Sequence, residues 1–242
     1  MSKKTYQIAM LCIFLAVWIW AAINPGNREA WLNENYITFV AVPVVIFLIR
    51  YFKLSNLSVT LITIFLCLHV IGGHFPYPDV PFGYTLAEWF NTARNQYDRL
   101  VHFSFGLLLF LPIREAFMKI SKTRGFWTYY IPIDVVLALS AFFEIIELIV
   151  VGFIKPEQVA AFIGPQADIF DAPKDMLNAF VGALISMLII LVFNLLTVKK
   201  SRREFKKSFE VKGREITPED RKIGRTIKKI KNDVRRLKIP NA

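Results

Sequence analysis

The sequence predicts an all-α integral membrane protein, a bundle of about six transmembrane helices with an interfacial helix and a basic cytoplasmic tail. Of its 242 residues 55% are hydrophobic and 22 are Phe, with a mean hydropathy of +0.42, whereas a soluble domain is about 45–50% apolar. Five polar breaks divide the apolar sequence into six runs that approach the roughly 20 residues needed to cross a bilayer. The five Trp residues lie at the ends of these runs, as interfacial aromatics do.

The predicted spans are roughly 6–23, 36–52, 57–71, 100–117, 129–153 and 176–198. The second and third are short, and Pro43 lies inside the second, so a re-entrant pair is the alternative for these two. The first run follows Lys3 and Lys4, as in a signal peptide, but no small-residue cleavage site closes it and five apolar runs follow. We therefore expect a transmembrane domain at 1–198 and a tail at 199–242.

The net charge of +11 belongs to the tail. The chain has 30 Lys and Arg against 19 Asp and Glu; residues 199–242 hold 17 and 6 of these, which leaves 13 of each in the transmembrane domain. A polybasic cluster directly follows the last span, and apolar residues recur at helical spacing beyond Pro218. This pattern predicts an amphipathic helix on anionic lipid headgroups of the bilayer. The tail has few aromatic residues and no recognisable nucleic-acid module, so nucleic acid is not an expected partner.

The Lys and Arg residues between the spans predict the orientation. With the N-terminus in the cytoplasm, eight of them face the cytoplasm and five face outward, even without the tail. The cytoplasmic set is Lys3, Lys4, Arg50, Lys53, Arg114, Lys119, Lys122 and Arg124. The outer set is Arg28, Arg94, Arg99, Lys155 and Lys174. We therefore expect both termini in the cytoplasm.

With this topology, the loop after the third span lies outside. It begins at His69 and contains His74 and Tyr77, and its glycines and prolines predict tight turns rather than a regular helix. An interfacial helix is expected at 85–97. Residues Asn95, Asp98, Arg99 and His102 share one helical stripe that leads into the fourth span. Asp98, four residues before His102, is spaced to hold its imidazole in one tautomer.

The fifth and sixth spans bring carboxylates to the same side. Glu144 and Glu147 share a helical face with Ser140. A carboxylate at the bilayer centre costs about 2.5–3.5 kcal/mol, so such residues normally face the bundle interior. Before the sixth span, polar residues recur at three, four and three: Asp168, Asp171, Asp175 and Asn178. We expect a helix that begins near Asp171, with Asp171 as its N-cap, and close helix approach at Gly182.

All three histidines and several carboxylates thus converge on the outer side, which predicts a polar site at that interface. The candidate catalytic residues are His74, His102, Asp98, Glu144 and Glu147. The candidate substrate-binding residues are Arg94, Arg99, Tyr77, Asn95, Gln166 and Asn178. The candidate ligands of a divalent metal are His69, His74, His102, Asp168, Asp171 and Asp175.

Two hypotheses follow from this set, and the sequence does not decide whether the protein is an enzyme. The first, slightly favoured, is a hydrolase or transferase that acts on a lipid, a lipid headgroup or a lipid-linked precursor. The second is a non-catalytic transporter or binding scaffold that uses Glu144 and Glu147. A polar path from Glu144 to Asp134 would favour transport, and an apolar plug between them would favour an outward-facing site. The Glu pair could also serve only as a partner for Arg94 or Arg99.

Four segments carry a resemblance to the YjdF family of bacterial inner-membrane proteins: His69–His74, Arg94–His102, Ser140–Glu147 and Gln166–Met176. The resemblance covers about residues 5–198 and leaves out the tail. It implies a location in the bacterial inner membrane and no assigned biochemical activity. A second, weaker similarity, at Asp171, Asp175, Asn178 and Gly182, is to VanZ-like membrane proteins, which are linked to glycopeptide-antibiotic tolerance; little else in the chain matches them.

Overall fold

The computed structural model describes residues 1–153, 170–210 and 218–236. These residues form nine α-helices and a short 3-10 helix at Tyr77–Asp79, with no strand among them. The helices are α1 Lys3–Ala22, α2 Arg28–Tyr51, α3 Asn56–His74, α4 Pro81–Trp89, α5 Tyr97–Ser121, α6 Trp127–Phe153, α7 Asp171–Thr197, α8 Lys199–Lys207 and α9 Pro218–Arg236. Within the described part, six helices are long and apolar enough to cross a membrane: α1, α2, α3, α5, α6 and α7. The six-span prediction is therefore confirmed.

The second span is longer than predicted because a side chain caps it earlier. The Asn27 carboxamide oxygen accepts hydrogen bonds from the backbone N–H groups of Glu29 and Ala30, each at 3.0 Å, so α2 begins at Arg28. The helix then runs for 24 residues, through Pro43. Both α2 and α3 are long and apolar enough to cross the bilayer, which favours two full spans over the re-entrant alternative.

The predicted turn after His69 is also wrong. Helix α3 continues to His74, and Gly72 and Gly73 lie inside it. A Cβ at Gly72 would clash with the ring of Tyr77, and one at Gly73 would touch the side chain of Glu34. These glycines therefore allow close packing at the end of α3 rather than a turn.

The predicted interfacial helix at 85–97 begins and ends earlier than expected. Helix α4 begins with Pro81 at its first position, where a missing N–H costs nothing. It ends at Trp89, and Asn91 takes a left-handed conformation with φ of 51°. The Asn95 side chain accepts from the Tyr97 N–H, and α5 begins there. Asn95 therefore precedes the helical stripe to which it was assigned.

The closest helix pair in the bundle is α5 with α7. A Cβ at Gly106 would overlap the Ala179 carbonyl, and a Cβ at Gly182 would overlap the Phe103 carbonyl, so the two backbones touch at these glycines. A buried cluster formed by Phe110, Ile133, Val136, Ala179 and Ala183 joins the pair to α6. Helix α3 packs against α5, and α1 packs against α3.

The bundle has two chemically different ends. We call the end at which α1, α3 and α6 finish and α2, α5 and α7 begin the polar end; the opposite end, with the N-terminus and α8, is the basic end. At the basic end Lys3 Nζ donates to the Lys53 carbonyl at 2.8 Å, and Lys119 Nζ donates to the same carbonyl at 3.0 Å. Two lysines far apart in sequence thus donate to the same backbone carbonyl, that of Lys53, two residues after the end of α2.

The first tail helix packs against the bundle at this basic end. Phe205 of α8 and Phe209, which follows this helix, contact the ring of Phe126, which precedes α6. The Ser208 hydroxyl accepts from the Phe126 N–H at 2.9 Å. Helix α9 leaves Ile223, Ile227 and Ile230 exposed at helical spacing among basic residues.

Candidate functional site

A cleft of about 990 Å³ runs along the bundle between α2 and α6, with α3 and α5 beneath it. Toward the basic end its walls are apolar, with Leu48, Ile62, Leu109, Ile113 and Ala116 among the lining residues. At the polar end the lining changes to charged and hydrogen-bonding groups: Glu34, His69, Tyr77, Asp79, Arg94, Asn95, Asp98, His102, Ser140, Glu147 and Asp171. The cleft therefore joins a long apolar groove to a compact polar pocket.

Two arginines connect the start of α5 to the start of α7. Arg94 donates to both carboxylate oxygens of Asp171, at 2.5 and 2.8 Å. Arg99 pairs with Asp171 and, through its other terminal nitrogen, with Asp175. Burial lowers the pKa of Arg94, but the hydrogen bond and the charge of Asp171 outweigh this and raise the pKa above its ordinary value. Both guanidinium groups therefore remain cationic.

Asp171 does not cap its helix as predicted. Phe170 occupies the N-cap position of α7 without a side-chain hydrogen bond, and Asp171 is the first helical residue. Its carboxylate is used instead by the two arginines, which are stronger donors than a backbone N–H. Pro173 lies in the first turn of α7.

His102 lies at the centre of the polar pocket. Its Nε2 atom is 3.7 Å from Asp98 Oδ1 and 3.4 Å from Glu144 Oε1, and the side chain is 7% exposed. One ligand atom each from Asp98, His102 and Asp175 lie within 4.8 Å of one another. Among the described residues these three form a group that could hold a metal ion, with Glu144 beside it.

Several buried oxygens in or beside this pocket have no hydrogen-bond partner among the described residues: Ser140 Oγ, which lines the pocket, and Glu144 Oε1 and Asp175 Oδ1 of the group around His102. Buried polar atoms in native proteins are almost always paired, and an unpaired one costs about 1–3 kcal/mol. Their clustering at one place therefore indicates a site for a bound group rather than a closed structural network.

His69 lines the cleft but is already occupied by protein partners. Its Nδ1 atom is 2.6 Å from the Tyr77 hydroxyl, and its Nε2 atom is 3.1 Å from the Thr38 hydroxyl. Burial, together with the nearby Glu34 carboxyl group, raises the pKa of Tyr77 well above its ordinary value, so the phenol stays protonated. We therefore assign the phenol as donor to Nδ1, which leaves the Nε2 proton for Thr38.

Replacing Tyr77 by Phe is expected to destabilise the polar end by about 1–3 kcal/mol, because His69 Nδ1 would be left buried without its partner. The matched control is Tyr84→Phe, since the Tyr84 ring is half exposed and its hydroxyl makes only a 3.4 Å contact with Asp79. Unfolding of both variants in mixed micelles measures the difference. Equal stability of Tyr77→Phe and Tyr84→Phe would contradict the assigned hydrogen bond.

The structure does not bring every predicted site residue to the cleft. His74 stacks on Trp20, with ring centroids 4.4 Å apart, and its Nδ1 atom contacts the Ala21 carbonyl. Asn178 is not a lining residue and donates within its own helix. Asn95 does line the cleft, but both ends of its amide are used on backbone groups. The remaining predictions, Gln166 and Asp168, lie outside the described residues.

Glu34 is a cleft residue that the sequence analysis did not select. It is 7% exposed, on the first half of α2, close to Gly73 of α3. The signal was present: Asn27 is a strong N-cap residue, and a helix that begins after it carries Glu34, Asn35 and Thr38 inward on neighbouring turns. Because the predicted span began at Tyr36, Glu34 and Asn35 were not considered part of a helix, and this stripe was missed.

A polar path from Glu144 toward the opposite end is not present in the described residues. Asp134 is exposed on the outer surface of α6. The half of the cleft nearer to it is lined by apolar residues such as Leu109, Pro112 and Ile113. By the criterion set from the sequence, an apolar barrier favours a site open to one side over a transport path.

The fold and the pocket define a multi-pass membrane protein with six crossing helices. Residues 6–195 match the family model described as "Predicted membrane protein (DUF2238)", so the chain belongs to this family of integral membrane proteins. The chain is also 30% identical, over 177 residues, to "Inner membrane protein YjdF" of Escherichia coli (strain K12). That alignment covers 73% of this chain and 84% of the relative. No solved structure matches the chain.

Proposed function

We propose that the protein is a hydrolase or transferase that acts on a lipid or lipid-linked molecule at the outer side of the bacterial inner membrane. The observation that carries this proposal is the cleft, in which an apolar groove parallel to the spans leads into a polar pocket. A lipid has the same division into an apolar chain and a polar headgroup. Arg94, which lines the pocket, is suited to an anionic headgroup such as a phosphate.

The position of the cleft agrees with a ligand taken from the bilayer. Residues of its two rims are exposed at the bundle surface, among them Val40, Val44 and Leu48 on α2 and Leu139 and Phe142 on α6. In a membrane these rims face acyl chains, so a lipid tail can enter sideways. The apolar groove then holds the tail without exposing it to water.

The chemistry assigned to the pocket is proton transfer. His102 would act as general base toward a water molecule or an acceptor hydroxyl, and Asp98 would orient its ring. Glu144, 3.4 Å from His102 Nε2, would return a proton to the leaving group together with its neighbour Glu147. A buried pocket strengthens these interactions because it excludes bulk water.

The binding test uses a groove-filling variant. Full-length protein is purified in mild detergent, and its bound phospholipid is quantified by native mass spectrometry. Wild type should retain about one lipid per chain, and Ala41→Trp should lose most of it because Ala41 lines the groove. The matched control is Phe47→Trp, at an exposed position on the same helix. Equal lipid retention in Ala41→Trp and wild type would refute the lipid cleft.

The catalytic test uses proteoliposomes that contain radiolabelled phosphatidylglycerol and phosphatidylethanolamine. We expect release or transfer of label, and at least about a hundredfold loss in His102→Ala, the scale of a general-base contribution. His74→Gln, at a histidine outside the pocket, should retain the wild-type rate. Wild-type protein that leaves both lipids intact would refute catalysis on these two classes.

The orientation is proposed from charge. The basic end collects Lys3, Lys53, Lys119 and the tail, and basic residues are retained in the cytoplasm. A C-terminal green fluorescent protein fusion should therefore fluoresce, and a C-terminal alkaline phosphatase fusion should be inactive. Active phosphatase at the C-terminus would reverse the orientation and place the polar pocket inside the cell.

The tail is proposed to lie on anionic headgroups. Helix α9 combines the exposed Ile223, Ile227 and Ile230 with flanking basic residues, which gain about 1 kcal/mol each near an anionic surface. In proteoliposomes of phosphatidylglycerol, trypsin should cleave the tail more slowly than in phosphatidylcholine. A variant with all three Ile replaced by Ser should lose this protection, whereas Thr226→Ser should keep it. Identical cleavage in the two lipids would contradict the proposal.

A further inference from the structure

We propose that Asp98, His102 and Asp175 bind one divalent first-row cation, such as Mn²⁺ or Zn²⁺, with Glu144 as a fourth ligand. The proposal rests on the proposed function, because it adds a cation to the same polar pocket, and it revises the chemistry there. With the cation bound, His102 and Glu144 would be ligands, and the cation would activate the water molecule or acceptor hydroxyl in place of the His102 base. The proposed site differs from the metal set suggested by sequence spacing, since His102 and Asp175 are kept and Asp98 and Glu144 replace His69, His74, Asp168 and Asp171.

The ligand geometry supports the site. One donor atom from each of Asp98, His102 and Asp175 lies within 4.8 Å of the others, and Glu144 Oε1 is 3.4 Å from His102 Nε2. Around a cation with bonds of about 2.1 Å, tetrahedral donor atoms are about 3.4 Å apart. Small side-chain movements would therefore complete the coordination sphere.

The unpaired oxygens provide a second, independent observation. The Asp175 side chain is 3% exposed, and its Oδ1 atom has no hydrogen-bond partner among the described residues. Glu144 Oε1 is likewise buried and unpaired within the described part of the chain, at 9% side-chain exposure. A bound cation would satisfy both oxygens at once, whereas leaving them bare is costly.

The charges of the pocket also favour a bound cation. In and beside it, seven carboxyl groups of the described residues accompany two guanidinium groups: Glu34, Asp79, Asp98, Asp171, Asp175, Glu144 and Glu147 against Arg94 and Arg99. Clustered carboxylates in a bundle interior need compensation. A dication beside His102 would supply it at the Glu144 end of the cluster.

The donor set selects the class of cation. Imidazole nitrogen favours Zn²⁺, Mn²⁺ or Fe²⁺ over Ca²⁺ and Mg²⁺, which prefer oxygen alone. Arg99 holds the other oxygen of Asp175, and this second partner would fix the carboxylate in orientation. Asp98 and His102 also line the cleft, so a headgroup in the pocket would meet the cation directly.

The test measures metal binding without any lipid reaction. Full-length protein in detergent is stripped with a chelator and then titrated calorimetrically with MnCl₂ and with ZnCl₂. Wild type should bind one ion per chain. His102→Ala and the nearly isosteric Asp175→Asn should each weaken binding by at least about tenfold. His74→Gln and Asp134→Asn, at a histidine and an aspartate outside the pocket, should match wild type. Size-exclusion profiles confirm that each variant is folded.

The outcomes separate the two proposals. Stoichiometric binding that is lost in His102→Ala and Asp175→Asn supports the cation site. Absence of binding in wild type, or unchanged affinity in both pocket variants, overturns it. If lipid retention still depends on Ala41 in that case, only the cation site fails. If the ion binds and lipid does not, only the lipid function fails.

Discussion

Arg99→Met is expected to destabilise the metal-free bundle by about 3 kcal/mol or more. Arg99 pairs with both Asp171 and Asp175, and the Asp175 side chain is almost completely buried. Removal of one partner from a buried ion pair leaves a charge without compensation, which typically costs about 3–5 kcal/mol. Methionine keeps much of the side-chain volume, so a loss of stability would result from the missing charge rather than from poorer packing. Unfolding by denaturant in mixed micelles with a chelator present measures it.

The matched control for Arg99 is Arg124→Met. Arg124 forms an ion pair with Glu204 at 3.1 Å, but its side chain is 66% exposed. Solvent-exposed pairs contribute about 0–1 kcal/mol. The double variant Arg99→Met/Asp175→Asn should regain part of the loss, because it removes the uncompensated carboxylate. Equal effects at Arg99 and Arg124 would show that the network at the start of α7 does not stabilise the fold.

Gly182→Ala is expected to cost about 3 kcal/mol, although it adds only one methyl group. That Cβ would overlap the Phe103 carbonyl and crowd the Leu107 amide of α5. Both neighbours are backbone atoms of a helix, so they cannot turn aside as a side chain could. Overpacking of a rigid contact costs about 1–3 kcal/mol, occasionally more, and here the two helices would have to separate along the closest contact of the bundle.

Gly152→Ala provides the opposite case. Gly152 lies on α6, and within the described part of the chain no atom of a neighbouring element lies within 4 Å of the place that an alanine methyl group would take. Alanine is the better helix former by about 1 kcal/mol, so this variant should be as stable as wild type or slightly more stable. If Gly182→Ala also left thermal unfolding unchanged, the close α5–α7 contact would be incorrect.

Hydropathy predicted the number of spans but not where the second and third begin and end. Polar residues near a span end look like loop residues, and on that basis Glu34 and Asn35 were left outside the second predicted span, which began at Tyr36. In the structure they face neighbouring helices, where tertiary packing accommodates them. Likewise, Gly72 and Gly73 act through contacts with Tyr77 and Glu34. Such contacts between helices cannot be deduced from local sequence.

Helical spacing correctly predicted which residues of α5 lie on the same face of the helix. Asp98 and His102, four residues apart, do lie on one face of α5. Spacing alone could not show that α7 packs beside this face and brings Asp175 to it. His69 and His74 are five residues apart, which is about 140° around a helix. Once α3 continues to His74, the two histidines cannot point the same way, and only His69 reaches the cleft.

The proposed entry of a lipid ligand between α2 and α6 decides how the concentration of that ligand should be expressed. A ligand that enters through this opening never leaves the membrane, so occupancy follows its mole fraction among neighbouring lipids rather than its amount per volume of buffer. Diluting the bilayer with an inert lipid would then reduce occupancy, while adding more vesicles of the same composition would not raise it. For the proposed lipid ligand, the exposed rims at Val40 and Phe142 would thus make the surrounding bilayer the solvent in which binding equilibrates.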